Sequence, residues 1–344
     1  MQMLKVAIVI LNWNGEKYLK QFLPSLLQHT KPDNCEIIIA DNNSSDNSIS
    51  FLNQNYPNLR LILFDKNHGF TGGYNLALNQ INAEYFVLLN SDVEVSPDWL
   101  LPLIKIMDSD ESIAACQPKI KSYHDKNKFE YAGASGGFID KYGYPFCRGR
   151  ILDKIEVDTN QYNSIIDVFW ATGACLMIRA EVYKAIGGLD NDFFAHMEEI
   201  DLCWRIKNQG LRIVIDPESE VFHVGGGSLP NNSPFKLYLN YRNNLFLLYK
   251  NLPKGKLFPI LFTRMILDGI SAMIFLAKFS FSSFGAVLKA HFHFYTSLRT
   301  LRKKRKKLLL NKAVNHHKEV YPNSIVFDYF LRKKRTFNQL NFKI

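Results

Sequence analysis

The chain is short of cysteine, and what it has is poorly placed for bridging. Its five cysteines, Cys35, Cys116, Cys147, Cys175 and Cys203, form no C-x-x-C pair and are odd in number. That excludes a disulfide framework and a zinc knuckle, and it fits reduced thiols in a cytosolic compartment. Long hydrophobic runs are also scarce. The apolar start Val6–Leu11 passes straight into polar residues without a small-residue cleavage site, so it reads as a strand and not as a secretion signal. The stretch 257–284 is strongly apolar but is broken by Arg264, Asp268 and Lys278. A free-standing membrane span wants about 20 uninterrupted apolar residues. Acidic residues are nearly missing from the last third: residues 231–344 hold three against 22 Lys and Arg, whereas residues 1–230 hold 29 against 20. Charge so segregated predicts different partners for the two parts.

Over the first hundred residues, short apolar runs alternate with helical patterns. Val6–Leu11, Glu36–Ala40, Leu59–Phe64 and Tyr85–Leu89 read as strands, with helices expected over 16–28, 45–55 and 72–82. Such alternation predicts an α/β fold with a mostly parallel sheet flanked by helices, and ligands at the carboxyl ends of its strands. A dense polar cluster follows each of these runs: Asn12-Trp-Asn-Gly15, Asp41-Asn-Asn-Ser-Ser-Asp46, Asp65 to Asn75, and Asn90-Ser-Asp-Val-Glu94. One cluster would be a turn, but four on one sheet edge describe a polar ligand site. Residues 120–165, rich in Gly, Lys and Tyr, read as a variable loop or hairpin region. A strand is expected over 168–179, a short helix over 181–186 ended by Gly187-Gly188, and a firmer helix over 198–208 with an acidic first turn and Gly210 as its stop. Within that helix, Arg205 is expected to pair with Asp201, and Trp204 to pack in the core.

Beyond Pro230 the pattern becomes helical and basic. Phe235–Leu252 reads as a helix, and two cation clusters follow at 302–307 and 332–335. Apolar helices beside juxtamembrane Lys and Arg fit attachment to an anionic membrane surface, with the helices in the interface. The competing reading is a solvated tail. Nucleic-acid binding is disfavoured by the adjacent apolar helices. The sequons at Asn42, Asn43 and Asn231 would go unused in a cytosolic protein.

Asn90 and Asp92, two apart at a strand end, project to one face and offer hard oxygen ligands suited to Mg²⁺ or Mn²⁺. The clusters taken together resemble glycosyltransferase family 2, in its rhamnosyltransferase-like subgroup. The segments that carry the resemblance are Val9–Asn14, Ile39–Asp46, Asn67–Asn75, Leu88–Asp92, Thr172–Arg179, Phe193–Arg205 and Val221–Ser228, spread over roughly residues 4–250. The resemblance implies a GT-A fold, a nucleotide-sugar donor and inverting transfer over about residues 1–230. A helical, basic, membrane-associating segment would then occupy 231–344. It implies that Asp41 contacts the nucleobase, that Asn12, Asn14 and Asn43 shape the nucleotide pocket, and that Asn67, Gly69, Gly72, Gly73, Asn75 and Asn90 line the donor site. Asn90 stands where the family's D-x-D has its first Asp, which leaves Asp92 as the main metal carboxylate, with His223 completing the site. Glu198-Glu199 matches the family's E-D pair, so Glu199 stands at the position of the base, one methylene longer than Asp. Either Glu199 reaches the acceptor, or Glu198 or Asp201 takes the role. The acceptor class most consistent with the basic tail is a lipid-linked saccharide of a surface polysaccharide, at the cytoplasmic face of the inner membrane. A dTDP-linked deoxyhexose such as rhamnose is the first donor implied.

Two rivals remain. A sugar nucleotidyltransferase would want a Gly-rich, cation-bearing loop after the first strand, and Asn12-Trp-Asn-Gly15 is not one. A catalytically degenerate membrane scaffold would be motivated by the substitutions at 90 and 199.

Overall fold

A computed structural model describes residues 3–225 and 233–343. Gly226, Gly227, Ser228, Asn231 and the expected boundary at 230 lie outside the described residues. The N-terminal half alternates β1 (Leu4–Asn12), α1 (Glu16–His29), β2 (Cys35–Asp41), α2 (Ser48–Asn55), β3 (Arg60–Leu63), α3 (Gly69–Leu78) and β4 (Ala83–Leu89). These four strands pair in parallel in the order β4-β1-β2-β3. Their near-continuous apolar sequences follow from burial on both faces. Along β1, Ala7 and Val9 enter one core while Val6, Ile8 and Ile10 enter the other. Each of these valines and isoleucines stabilises the fold by about 1.5–3 kcal/mol.

The chain continues through β5 (Val93–Val95), α4 (Leu100–Ser109) and β6 (Ile113–Ser122). A small second sheet follows, built from β7 (Gly137–Asp140), β8 (Pro145–Cys147), β9 (Arg150–Ile151) and β10 (Lys154–Ile155). Next come β11 (Ile166–Asp167), β12 (Cys175–Arg179), α5 (Ala180–Ala185), α6 (Glu198–Asn208) and β13 (Arg212–His223). The large sheet runs β11-β13-β6-β12-β4-β1-β2-β3, with β5 on β13. Because β12 lies antiparallel between β4 and β6, the sheet is mixed instead of mostly parallel. The strand expected over 168–179 begins only at Cys175, since residues 171–174 form a loop whose Thr172 amide donates to Gln117 Oε1 at 2.9 Å. Residues 120–165, expected as a loop or hairpin region, fold as successive hairpins, with β7, β8, β9 and β10 each antiparallel to the next. One local cause is Trp170: a Cβ on Gly137 would lie 2.1 Å from its ring, and its Nε1 donates to Phe138 O at 2.9 Å. Trp170 is therefore a core residue. Trp204 is one too, edge-on to Phe169.

Three long helices follow: α7 (Pro234–Asn251), α8 (Lys254–Ala277) and α9 (Phe281–Leu310). The last segment is not a solvated tail. It adds β14 (Val320–Tyr321) in parallel to β7, followed by α10 (Ile325–Phe330). Tyr321, Phe337 and Phe342 pack on Phe138 and Phe146 of the small sheet. Asp140 accepts from the Ile325 amide at 2.9 Å, and Glu156 from the Phe337 amide at 3.0 Å. All five cysteines are free thiols, four of them buried.

Candidate active site

The ends of β1, β2 and β4 meet as expected, and they are cross-linked by short polar side chains. Asn12 donates from Nδ2 to Asp41 Oδ1 at 2.8 Å. Ser44 donates to the same carboxylate from its hydroxyl at 2.6 Å and from its amide at 2.9 Å. Asn14, at φ +51°, accepts from the Ser45 amide at 2.7 Å and is exposed, as is Asn43 at φ +62°. Asp41 is thus largely enclosed by this loop, while the buried Oδ1 of Asn12 has no hydrogen-bond partner. Trp13, next to both Asn12 and Asn14 in the chain, is 53% exposed and presents an open aromatic face.

The third cluster divides. Asn67 accepts from the Gly69 amide at 2.8 Å and from Asn42 Nδ2 at 2.9 Å. Gly69 sits at φ +70° with the Phe194 ring 3.0 Å from where a Cβ would be, and Gly72 faces His68. The reason for Gly73 is packing, not ligand approach: its Cβ would lie 2.6 Å from Leu11. Asn75 is likewise occupied. It accepts from Tyr183 OH at 2.6 Å and the Leu189 amide at 3.0 Å, and donates to Leu189 O at 2.8 Å, which ties α3 to the loop after α5. Beside it opens a cavity of about 580 Å³ lined by His68, Gly72, Asn75, Tyr183 and Lys184 among others.

At the end of β4, the Asn90 amide donates to Ala174 O at 3.0 Å, and Asp92 lies against β13. His223 Nε2 is 3.2 Å from Asp92 Oδ1, and its Nδ1 is 3.5 Å from Glu130 Oε2. All three side chains are buried. Burial alone would lower the His223 pKa, but the two flanking carboxylates prevail and push it up to about 10. Glu130 comes from the poorly readable stretch and was not foreseen. A carboxylate behind a ligating imidazole fixes its tautomer and orientation. Asp92 and, once it gives up its second proton, His223 fit a divalent cation of the Mg²⁺ or Mn²⁺ kind as a partial ligand set, with the remaining positions left to phosphate oxygens and water. Among the described residues no cluster of three acidic, His or Cys side chains is arranged to enclose an ion unaided. Glu94 points elsewhere, pairing with Lys126.

The acidic start of α6 is the most strongly perturbed part of the site. Glu198 and Glu199 each carry a buried Oε2 without a hydrogen-bond partner. Burial pushes the Glu199 carboxyl up to about 7. Glu198 is raised well above its usual range by burial and by the charge of Glu199. Asp201 differs in kind. Burial would raise its pKa, but Lys250 and Arg205 hold it low. It accepts from Arg205 at 2.8 Å, Lys250 at 2.9 Å and Asn251 at 2.9 Å, with no exposure to solvent. The expected Arg205–Asp201 pair is present, and it takes Asp201 out of contact with any substrate.

The turn before α6 is strained. Phe194, His196 and Met197 have φ of +65°, +67° and +70°, a region that costs non-glycine residues about 1–3 kcal/mol each. It is held by α7: Asn243 Nδ2 reaches the carbonyl oxygens of Phe193, Ala195 and His196 at 2.7–2.9 Å. Arg242 donates to Asp192 O and Phe193 O, each at 3.0 Å. Nothing in the periodicity of α7 marked these residues as supports of the site.

The loop 172–174 joins the two charged centres. A Cβ on Gly173 would lie 4.0 Å from Glu199 Cβ, and its neighbour Ala174 accepts from the Asn90 amide. One carboxylate poised near neutrality on one side and an Asp–His pair on the other is the arrangement expected of group transfer to a hydroxyl. Glycosyl transferase family 2 matches residues 7–187, more than half of the chain. The chain belongs to that family.

Family 2 relatives align at modest identity. The O-antigen biosynthesis protein RfbC of Myxococcus xanthus is 27% identical over 249 residues, covering 69% of this chain but only 19% of that protein. The N-acetylglucosaminyl-diphospho-decaprenol L-rhamnosyltransferase of Mycobacterium tuberculosis is 25% identical, covering 63% of this chain and 75% of its own. The dTDP-rhamnosyl transferase RfbF of Shigella flexneri is 24% identical, covering 72% and 80%. Among solved structures, the mannosyltransferase PcManGT of Pyrobaculum calidifontis, in complex with GDP-Man and Mn²⁺, superposes with a TM-score of 0.53 at 14% identity, covering 97% of this chain and 89% of its own. The fold is GT-A, as the resemblance implied.

Proposed function

We propose that this chain is an inverting, metal-dependent glycosyltransferase that moves a sugar from a nucleotide-sugar donor to a lipid-linked saccharide in cell-surface polysaccharide synthesis, at the cytoplasmic face of a membrane. The observation that carries the proposal is the single loop, 172–174, with Glu199 on one side and the Asn90–Asp92 strand end on the other. Inverting transfer needs the acceptor oxygen to attack the anomeric carbon as the bond to the diphosphate breaks. The acceptor proton passes to Glu199, and the nucleoside diphosphate leaves. A base with a pKa near 7 is matched to that task at neutral pH. Glu198, whose ionisation is opposed by burial and by the Glu199 charge, leaves Glu199 as the carboxyl of the pair that ionises more readily; Asp201 positions α6 through Lys250 and Arg205.

Asp92 and His223 would hold the divalent cation, and Glu130 would orient the histidine. When bound, the cation neutralises charge developing on the diphosphate. Asn12, Asn14, Asp41 and Asn43 would form the nucleotide end of the cleft, with Trp13 as a stacking face. Asn67, Gly69, Gly72 and Asn90 would line the donor, while Gly73 and Asn75 hold α3 in place beneath it. The activities for which the relatives from Shigella flexneri and Mycobacterium tuberculosis are named support dTDP-rhamnose as the first donor to test and a diphosphate-linked lipid as acceptor. Exposed lysines and arginines of α9 support attachment to anionic lipid.

The test is donor consumption and transfer across UDP-, GDP- and dTDP-sugars, with Mn²⁺ or Mg²⁺ and membrane lipid extract as acceptor. Wild type runs beside Asp92→Ala and Glu199→Gln. One donor consumed by wild type alone supports the reading. No metal-dependent binding of any nucleotide sugar overturns it.

A further inference from the structure

Helix α8 is long and apolar enough to cross a membrane by length and composition. Its two internal charges argued against that from sequence, yet they do not lie on its outer surface. Arg264, Asp268 and Ala272, spaced four apart, form its buried side. Arg264 Nε donates to Asp268 Oδ1 at 2.7 Å, and Arg264 also donates to Asn244 of α7. His291 of α9 lies 3.2 Å from Asp268 Oδ2, and the Arg264 guanidinium stacks 3.9 Å above the Tyr144 ring. The opposite side is a stripe of large apolar residues at the same spacing. Phe258, Phe262, Ile266, Ile270 and Ile274 are 77%, 56%, 49%, 52% and 48% exposed. It continues over the turn into α9 through Phe279 and Phe281, 80% and 63% exposed. No charged residue lies on this side between Lys256 and Lys278.

We propose that this face of α8 and the α8–α9 turn embed in the hydrocarbon edge of an anionic lipid bilayer, with α8 lying along the surface and not crossing it. Side chains on one stripe enter lipid, while the Arg264–Asp268 pair stays enclosed by α7, α9 and the small sheet. A crossing helix would have to give up that enclosure and expose both charges to hydrocarbon. The charge pattern selects the occupant. Between residues 233 and 318 the sole acidic side chain is the buried Asp268, whereas Lys254, Lys256, Lys278 and Lys289 are exposed around the stripe. Anionic headgroups over an apolar layer match both features, and a second copy of this chain would bring like charge against like. The cytoplasmic face of a membrane proposed above is the setting this inference rests on; it does not depend on sugar transfer.

The experiment is flotation of the full chain with phosphatidylcholine vesicles containing about one-quarter phosphatidylglycerol, since that charge density recruits basic interfacial helices. Phe262→Glu/Ile266→Glu is expected to float at least about tenfold less than wild type. Its melting temperature should be unchanged, because both side chains face outward. Single variants Phe258→Trp, Ile266→Trp and Ile274→Trp, read by quenching with brominated lipids, should report equal shallow depths. Wild type remaining unbound overturns the inference. So does a double variant that floats like wild type, which would leave the basic residues as the whole attachment, or a depth that passes through the bilayer midplane from 258 to 274. A chain that floats as expected but consumes no nucleotide sugar leaves this inference standing and removes the enzymatic reading.

Discussion

Glu199 offers the sharpest test, because its environment predicts both a rate profile and a stability profile. Burial raises its pKa from the ordinary 4.5 to about 7. A base with that pKa is ionised in roughly one molecule in ten at pH 6 and nine in ten at pH 8. The rate constant kcat/KM should therefore climb about tenfold from pH 6 to the plateau, where an ordinary carboxylate would give a flat profile. Glu199→Gln should cost about 10²–10⁴-fold in that plateau, or about 2.7–5.5 kcal/mol of barrier. Glu198→Gln should retain activity within several-fold, since the amide resembles the protonated acid that burial enforces there. The same shift bears on folding with a fixed sign. A carboxyl whose folded pKa is raised destabilises the native state as pH rises from about 4.5 through 7. Glu199→Gln should thus raise the melting temperature at pH 8, by up to about 3 kcal/mol of stability, and leave it unchanged at pH 4. Transfer assays and thermal melts over that range measure both. A flat rate profile, or Glu198→Gln as damaging as Glu199→Gln, would refute the assignment.

Other outcomes follow from particular contacts. Lys250→Met leaves Asp190 and Asp201 facing each other in a buried site without their shared cation, and should cost about 3–5 kcal/mol in chemical denaturation. Asn243→Ala removes the donor that closes the strained turn before α6; about 1–3 kcal/mol of stability should go with it, and kcat should fall more than KM rises. Glu130→Gln keeps the shape but removes the charge behind His223, and should weaken Mn²⁺ binding, read by calorimetry, about 10–100-fold. Gly137→Ala must displace the Trp170 ring 2.1 Å away, and should lower the melting temperature without altering donor specificity.

The α/β alternation was legible because four apolar runs buried on both faces leave little ambiguity about strands, and polar clusters at their ends mark where ligands go. Helix α6 was read to the residue, since its acidic first turn and following Gly210 are strong end signals. Glu130 was invisible for a physical reason: it approaches His223 from a segment nearly a hundred residues away, and no local period encodes that contact. Asn243 was hidden by its setting, a polar residue in an aromatic helix that reads as exposed until the carbonyls of the strained turn are seen against it. Gly73 and Asn75 were legible as special but not as to why. A glycine demanded by Leu11 and one demanded by a ligand look alike in sequence.

The segregation of charge has a second meaning in three dimensions. It predicted separate partners for the two parts of the chain, yet part of the basic half is matched by the acidic half itself. Lys304 pairs with Asp190 at 2.5 Å and Asp192 at 2.6 Å, and Lys318 with Asp167 at 2.9 Å. Arg305, in the middle of the densest cation cluster, is buried and donates to Tyr249 O. These contacts bring α7 and α9 onto the loop 190–197 that carries Glu198 and Glu199 into place. The basic segment is therefore two structures in one sequence. One set of cations faces inward and holds the turn before α6; another, including Arg302, Lys303, Lys306 and Lys307, faces solvent on the same helix. A surface that meets α9 from outside acts on the same helix whose inner side grips the turn before Glu198 and Glu199.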